Sequence, residues 1–151
     1  MSVSAHCSHI GQKVGKLFGK LARLASSQWG LRHGALSTFY KGVFKPIVEY
    51  AASGWADLCT SADNRRIQTT QRQALLAVTK AYRTSSWESL SVIAGEIPID
   101  LLLEKHRALF NLRRGKDARM VHTIVQAGNE HRENRSRVLV IANNVWQTRW
   151  N

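Results

Sequence analysis

The chain has 151 residues, 44% of them hydrophobic, so it has enough apolar side chains to bury a core and is not compositionally disordered. Lys and Arg outnumber Asp and Glu by 22 to 10, and the resulting net charge of +12 indicates a polyanionic partner, because each neutralised phosphate releases a counterion. The sequence has no signal-peptide core and no apolar run long enough to span a membrane, so we expect an intracellular protein without a membrane partner.

A first amphipathic helix is predicted over residues 6–28, where apolar residues recur at steps of three and four and share one face. A neighbouring stripe of the helix carries the cations Lys13, Lys16, Lys20 and Arg23. Glycine recurs every fourth residue, at Gly11, Gly15 and Gly19. These glycines lie along one line of the helix, which we interpret as a groove where another backbone approaches closely; incidental surface glycine is the alternative.

A second, broadly apolar helix is predicted over residues 34–59. Pro46 lacks a backbone donor and clashes with the preceding turn, so we expect a kink or a break there. Small residues surround Trp55, which suggests tight packing around one large side chain. Tryptophan can stack on bases, but we predict that Trp29 and Trp55 belong to the core.

A third helix is predicted over residues 63–82, with Asp63 or Asn64 as its N-cap. Its apolar face contains Ile67, Gln71, Ala74, Leu75 and Val78. The basic residues of this segment and of the following turn lie off that face: Arg65, Arg66, Arg72, Lys80 and Arg83.

Two further helices are predicted next along the chain. One of the two serines at positions 85 and 86 is expected to cap a helix over residues 87–94 that ends at Gly95. Pro98 is expected to open another helix that continues to about Arg114.

The character of the sequence changes after Gly115. A short helix is predicted over Met120–Ala127, a basic linker or frayed turn over His131–Arg137, and a last amphipathic helix over Val138–Trp150. No segment shows a persuasive alternation with the period of a strand, so the predicted fold class is all-α.

No active site is apparent in the sequence. Two-metal chemistry needs clustered carboxylates, whereas the ten acidic residues are scattered and include no Asp–Asp pair. The neighbours Asp100 and Glu104 are interpreted as carboxylates that complement the dipole at a helix start. Cys7 and Cys59 form no CxxC pair, so neither a disulfide framework nor a structural zinc site is expected. We predict no catalytic residue and no metal ligand in this chain.

Cationic helix surface is therefore the main chemical feature. The first stripe spans roughly 15 Å along its helix, which is comparable to several phosphate steps of a strand. We interpret it as a clamp on a nucleic-acid backbone, which fixes position and carries little sequence information; a solvated helix face is the alternative. The predicted nucleic-acid-binding residues are Lys13, Lys16, Lys20, Arg23, Arg65, Arg66, Arg72, Lys80 and Arg83.

Several segments carry a resemblance to a known family: Lys16–Ala25, Trp29–Leu31, Tyr40–Phe44, Tyr50–Asp57, Gln71–Thr84 and Ala94–Leu101. They resemble the Pol protein of type-1 non-LTR retrotransposons of insects, of the kind that inserts in ribosomal RNA genes. The Gln71–Thr84 string is the most specific of them. The resemblance covers residues 9–110 well and the rest loosely, and Trp146–Trp150 is similar to the stretch that precedes the family's carboxy-terminal part.

The resemblance implies the thumb and post-thumb region of a reverse transcriptase whose full protein also has an endonuclease. A thumb is a helical bundle that grips the template–primer duplex, so the implied architecture is a thumb-like helical domain over residues 1–115. A more loosely packed basic linker and terminal helix over residues 116–151 then end before the family's Cys/His knuckle. The family's Tyr-x-Asp-Asp motif is absent, so the Mg²⁺ of the parent polymerase is implied outside this chain, and no cofactor is implied within it.

The implied partners are an RNA or RNA–DNA template–primer duplex and the palm and fingers of the parent polymerase, and the implied location is the nucleus. The resemblance also implies that Met1 is not a natural domain start but lies within a degraded or misassigned element. Two alternatives stay open: an unrelated basic helical RNA- or DNA-binding protein, and a non-functional retroelement relic.

Overall fold

A computed structural model of the chain shows a mostly helical fold with one short hairpin. The structure describes residues 3–25, 32–50, 52–55, 58–128 and 131–149. The predicted all-α class is confirmed as a mostly helical fold, with the hairpin as the exception. None of the helices in these ranges combines the length and the apolar character that a membrane crossing requires.

The helices are, in chain order, α1 (Val3–Ala25), α2 (His33–Phe39), α3 (Lys45–Glu49), α4 (Ala52–Trp55), α5 (Ser61–Thr79), α6 (Trp87–Ala94), α7 (Ile99–Arg113) and α8 (His131–Thr148). A π-helical turn over Tyr40–Phe44 joins α2 to α3. The strands β1 (Ala118–Met120) and β2 (Thr123–Val125) pair antiparallel. Helix α1 confirms the predicted first helix as far as Ala25, beyond which residues 26–28 lie outside the described part of the chain.

The contacts divide the chain into two units. The first unit contains Met1–Tyr50 and Cys59–Ile97, and the second contains Ala51–Leu58 and Pro98–Asn151. The division of the sequence into a thumb-like part over residues 1–115 and a looser part over residues 116–151 stays a prediction.

The second predicted helix departs from α geometry beside Pro46. The π-helical turn directly precedes α3, and Pro46 occupies the first turn of α3. Because Pro46 cannot donate to a carbonyl of the preceding turn, a widened turn accommodates both the missing hydrogen bond and the proline ring. Helix α3 ends at Glu49, and the ψ of 119° at Tyr50 leaves the helical region. The predicted single helix over residues 34–59 is therefore interrupted.

Aromatic side chains fill part of the core of the first unit. The ring centroid of Phe18 lies 5.8 Å from that of Phe39 and 5.9 Å from that of Phe44, both in edge-to-face geometry. Tyr40 stacks on Phe44 with the centroids 4.7 Å apart. Burial of Tyr40 raises the pKa of its hydroxyl well above the ordinary value, so this hydroxyl is neutral and acts as a hydrogen-bonding group.

Gln71 is a fully buried polar side chain at the centre of this unit. Its Nε2 donates to the hydroxyl of Tyr40 at 2.9 Å and to the carbonyl of Ile97 at 3.1 Å. Its Oε1 accepts a hydrogen bond of 2.8 Å from Nε1 of Trp87. The amide therefore ties α5 to the π-helical turn, to α6 and to the segment that follows α6, and a paired amide avoids the cost of burying an unmet polar group.

Helix α5 begins at a different N-cap from the predicted one. Thr60 Oγ1 accepts a hydrogen bond from the backbone N–H of Asp63, and Asp63 Oδ2 accepts one from the backbone N–H of Thr60, each at 3.2 Å. The prediction of Asp63 or Asn64 as N-cap was wrong, because Asp63 is the third helical residue of a capping box whose cap is Thr60. Hydrogen bonds from Thr60 hold the pKa of Asp63 below its usual value.

The predicted cap and end of α6 and the predicted start of α7 at Pro98 are confirmed. Ser86 Oγ accepts a hydrogen bond of 3.1 Å from the backbone N–H of Ser89 and caps α6. Gly95 ends α6 with a φ of 65°, a conformation that glycine adopts without strain. Pro98 is the N-cap residue of α7, which ends at Arg113.

The two cysteines meet inside the first unit although they are distant in sequence. The Sγ atoms of Cys7 and Cys59 lie 3.6 Å apart, and both residues are free thiols. Burial raises the pKa of Cys7, and it raises the pKa of Cys59 to about 12. Both thiols are therefore protonated at neutral pH and pack as small, weakly polar groups.

The second unit is centred on α7, which packs against α4, β1 and α8. Trp55 of α4 is buried, as predicted, whereas Trp29 lies outside the described residues. The predicted helix over Met120–Ala127 was wrong, because this segment belongs to the hairpin. Met120 and Val125 contribute to one buried cluster with residues of α7 and α8, and Val121 supplies the turn with a φ of 55°.

The segment His131–Arg137 was wrongly predicted as a linker, because it forms the first turns of α8. Glu133 and Arg137 pair across one turn at 2.7 Å. Asn134 is 5% exposed, and its side chain exchanges two hydrogen bonds with the backbone of Gly128. These contacts stabilise a polar stretch that has no apolar anchor of its own.

Replacing Thr60 with Ala is expected to lower the free energy of unfolding by about 1 kcal/mol, because α5 loses its capping side chain. Urea or thermal denaturation monitored by circular dichroism measures this change. Ser61→Ala, at the next and exposed position, is the matched control and should change stability by less than about 0.5 kcal/mol. Equal stability of the two variants would show that the capping box does not contribute.

Candidate nucleic-acid interface

Helix α1 packs on α5 along its line of glycines. A Cβ atom at Gly11 would lie 3.3 Å from Oγ1 of Thr70, and one at Gly15 would lie 4.0 Å from Oε1 of Gln73. A Cβ atom at Gly19 would meet no described atom within 4 Å. The clearance beside α1 thus grows along the helix. Helix α1 packs closely against α5 at Gly11, but the described atoms nearest to Gly11 and Gly15 are side-chain oxygens, so the predicted close approach of another backbone is not seen here.

A groove of about 550 Å³ opens where this clearance grows. Gly15 and Gly19 line it from α1, and Arg72, Leu76 and Arg83 line it from α5 and the turn that follows α5. We call this feature the glycine groove. Two of the lining residues carry guanidinium groups, and two others are glycines without a side chain. A negatively charged nucleic-acid backbone could therefore approach α1 closely.

Three predicted binding residues form a ridge beside the glycine groove. Lys13, Lys16 and Lys20 are exposed on the side of α1 away from the buried core residues of this helix. Lys16 and Lys20 directly follow the two groove glycines, so each lies about 100° further around the helix. We call these three residues the lysine ridge. Arg23 continues the same stripe along the backbone of α1, but its side chain lies outside the described part of the structure.

Arg72 has a structural task in addition to its position in the groove. Its Nη2 donates to the backbone carbonyl of Arg83 and, at 3.0 Å, to that of Ser85. These hydrogen bonds hold the turn between α5 and α6, and they thereby place Arg83 beside the groove. A charged donor satisfying two carbonyls stabilises such a turn more than a neutral one would.

The other predicted cations are placed elsewhere on the first unit. Arg65 and Arg66 belong to the first half of α5, where Nη1 of Arg66 lies 3.5 Å from Oγ of Ser4 and 3.8 Å from Oδ1 of Asp63. Lys80 is exposed and ends α5 in the left-handed conformation, with a φ of 54°. The structure therefore groups Arg72 and Arg83 with the groove and does not place Arg65 or Arg66 among the groove residues.

Acidic side chains of both units form local ion pairs. Glu96 is 3% exposed and lies 2.5 Å from Nζ of Lys45, and the carboxylate of Asp100 in the first turn of α7 lies 2.8 Å from Arg149. Within the described ranges, no three His, Cys, Asp or Glu side chains come together as metal ligands would.

Sequence comparison links this basic helical chain to mobile elements. A relative named as the retrovirus-related Pol polyprotein from type-1 retrotransposable element R1 4 of Nasonia vitripennis is 42% identical over 151 residues, which cover 99% of this chain and 38% of the relative. The chain resembles a region of the R1 Pol polyproteins of insects. A putative 115 kDa protein in the element R1DM of Drosophila melanogaster is 30% identical over 99% of this chain and 15% of the relative. An R1 Pol polyprotein of Bradysia coprophila is 29% identical over 99% of this chain.

The matched region spans the positions of the lysine ridge and the glycine groove, because it extends over almost the whole chain. Identity of this extent is incompatible with the alternative of an unrelated basic helical protein. The chain spans 38% and 15% of the lengths of the first two R1 relatives, so most of each relative lies outside the matching region. No protein-family model matches the chain. No solved structure matches it significantly.

Gly19→Ala is expected to raise the free energy of unfolding by up to about 1 kcal/mol, because alanine favours the helix and its Cβ meets open space. Gly11→Leu should instead lower it by about 1–3 kcal/mol, because the side chain would overlap Thr70. Chemical denaturation of both variants tests whether α1 contacts α5 at Gly11. Equal effects of the two substitutions would contradict the packing of these helices.

Arg72→Ala is expected to destabilise the first unit by about 1–2 kcal/mol, because two backbone carbonyls lose a charged donor. Hydrogen exchange should become faster in residues 83–86, and thermal denaturation measures the overall loss. Arg65→Ala removes the same charge from an exposed position of the same helix and should leave both measurements nearly unchanged. If both variants behaved like the unmodified protein, the turn would not depend on Arg72.

Proposed function

We propose that this chain is a nucleic-acid-gripping, thumb-like region of a retrotransposon Pol protein and that it holds a template–primer duplex through phosphate contacts. The observation that carries the proposal is that Lys16 and Lys20 of the exposed lysine ridge directly follow Gly15 and Gly19, which line the cation-lined glycine groove of the first unit. The net charge of +12 and the resemblance to R1 Pol polyproteins support it.

The geometry of the ridge suits a phosphate backbone. The seven residue steps from Lys13 to Lys20 correspond to about 10 Å along α1, which is close to three steps of a duplex strand at about 3.4 Å each. Lysine ammonium groups are compact charges on flexible stems, so they follow a backbone without reading bases. Arg83, across the glycine groove, would contact the same strand from its other side.

Bond formation is assigned to other parts of the Pol protein in this proposal. The palm and fingers of the parent polymerase would supply the carboxylates for Mg²⁺, and this chain would position the RNA or RNA–DNA duplex against them. Its own contribution is electrostatic and therefore depends on salt, because binding releases counterions from the nucleic acid. The proposal also implies a nuclear location.

Replacing Lys13, Lys16 and Lys20 together with Ala is expected to weaken binding to an RNA–DNA hybrid duplex. It should also flatten the plot of log affinity against log salt by about 0.9 for each phosphate contact that is lost. Fluorescence anisotropy titrations of a labelled hybrid between about 50 and 200 mM salt measure both quantities.

The matched control replaces three exposed cations of the second unit, Lys116, Arg132 and Arg135, so that net charge changes equally. This control should bind more tightly and with a steeper slope than the ridge variant. Identical slopes would show that only net charge matters and would remove the ridge from the interface.

A cooperative thermal transition of the unmodified chain is expected as well, whereas its absence would favour the relic alternative.

A further inference from the structure

A second cavity flanks the lysine ridge on the side opposite the glycine groove. It has a volume of about 430 Å³ and lies between α1 and the end of α3. By the period of α1, its lining residues His6 and Ile10 lie beyond the ridge as seen from the groove glycines, whereas His9 lies within the stripe that the lysines form. Lys13 belongs both to the ridge and to this cavity. We call the cavity the tyrosine pocket, after Tyr50 at its edge.

The lining of the tyrosine pocket combines aromatic, apolar and cationic groups. Tyr50 is 74% exposed, so much of its ring faces solvent. Ile10 and Ile47 supply an apolar surface, and none of the described lining residues is acidic. The volume falls within the range of about 300–1,000 Å³ that is usual for small-molecule sites. This combination suits a flat, uncharged ring that is attached to a negatively charged group.

We propose that the tyrosine pocket takes one unpaired base of the nucleic-acid strand whose phosphates follow the lysine ridge. This inference rests on the proposed function. The base would stack on Tyr50 against the isoleucine side chains, and Lys13 would contact the phosphate of the same nucleotide. An apolar peptide could contact the two isoleucines. It would not account for Lys13, whose charge continues the lysine ridge into the pocket.

The proposal has a consequence for the structure of the ligand. Bases within a duplex are stacked on one another and cannot enter a side pocket without leaving the helix. A single-stranded extension offers its bases at no such cost. The chain should therefore prefer a hybrid duplex with a single-stranded extension over a blunt duplex, and Tyr50 should account for that preference.

Tyr50→Ala is the decisive variant, measured by anisotropy with both a blunt hybrid and a hybrid carrying a single-stranded extension. We expect affinity for the extended hybrid to fall about 10-fold, as the loss of one stacked base predicts, with an unchanged salt slope. Affinity for the blunt hybrid should hardly change, and Tyr50→Trp should restore binding. An extension that contains 2-aminopurine should show quenched fluorescence with the unmodified chain and not with Tyr50→Ala.

Tyr82→Ala is the matched control, because Tyr82 belongs to the same unit, is 85% exposed and does not line the pocket. Equal affinities of Tyr50→Ala and Tyr82→Ala for the extended hybrid would overturn the pocket while leaving the proposed function intact. Failure of the unmodified chain to bind either hybrid at low salt would overturn both. If Tyr50→Ala changed the sedimentation of the chain but not its affinity for the extended hybrid, the pocket would be a protein-binding surface. That result would also reject the proposal.

Discussion

The close approach of α1 to α5 at Gly11 is the contact on which the first unit and its basic face depend. A side chain there would press against Thr70, which is itself 8% exposed and has little room to move. Glycine at this position lets α1 lie close to α5, the helix with which it makes most of its contacts. The lysine ridge faces solvent, and Gly15 and Gly19 line a groove beside Arg72 and Arg83.

The basic face also depends on where the acidic side chains go. Asp63 is used in a capping box, and Glu96 is buried against Lys45. Both carboxylates are thus engaged by partners close to them, and neither side chain is exposed to solvent. Helix α1 thus borders two features with different linings: the glycine groove on one flank and the tyrosine pocket on the other.

Much of the helical organisation could be predicted because its signals are local. A serine cap and a glycine stop define α6, and Pro98 marks the start of α7. The hairpin could not be predicted, because Met120 and Val125 are held by residues of α7 and α8 that are distant in sequence. The start of α8 was missed for a related reason: its polar first turns depend on Asn134 binding the backbone of Gly128.

The sequence by itself determined the helical character of the chain, the cationic stripe and glycine line of α1, and the resemblance to R1 Pol. These features follow from residue spacing along one helix or from similarity of residues. Only the tertiary structure decided that Arg72 holds a turn and that Tyr50 and Lys13 line one cavity. The physical reason is that such contacts depend on how separate helices rotate and pack against one another, which the period of a single helix does not contain.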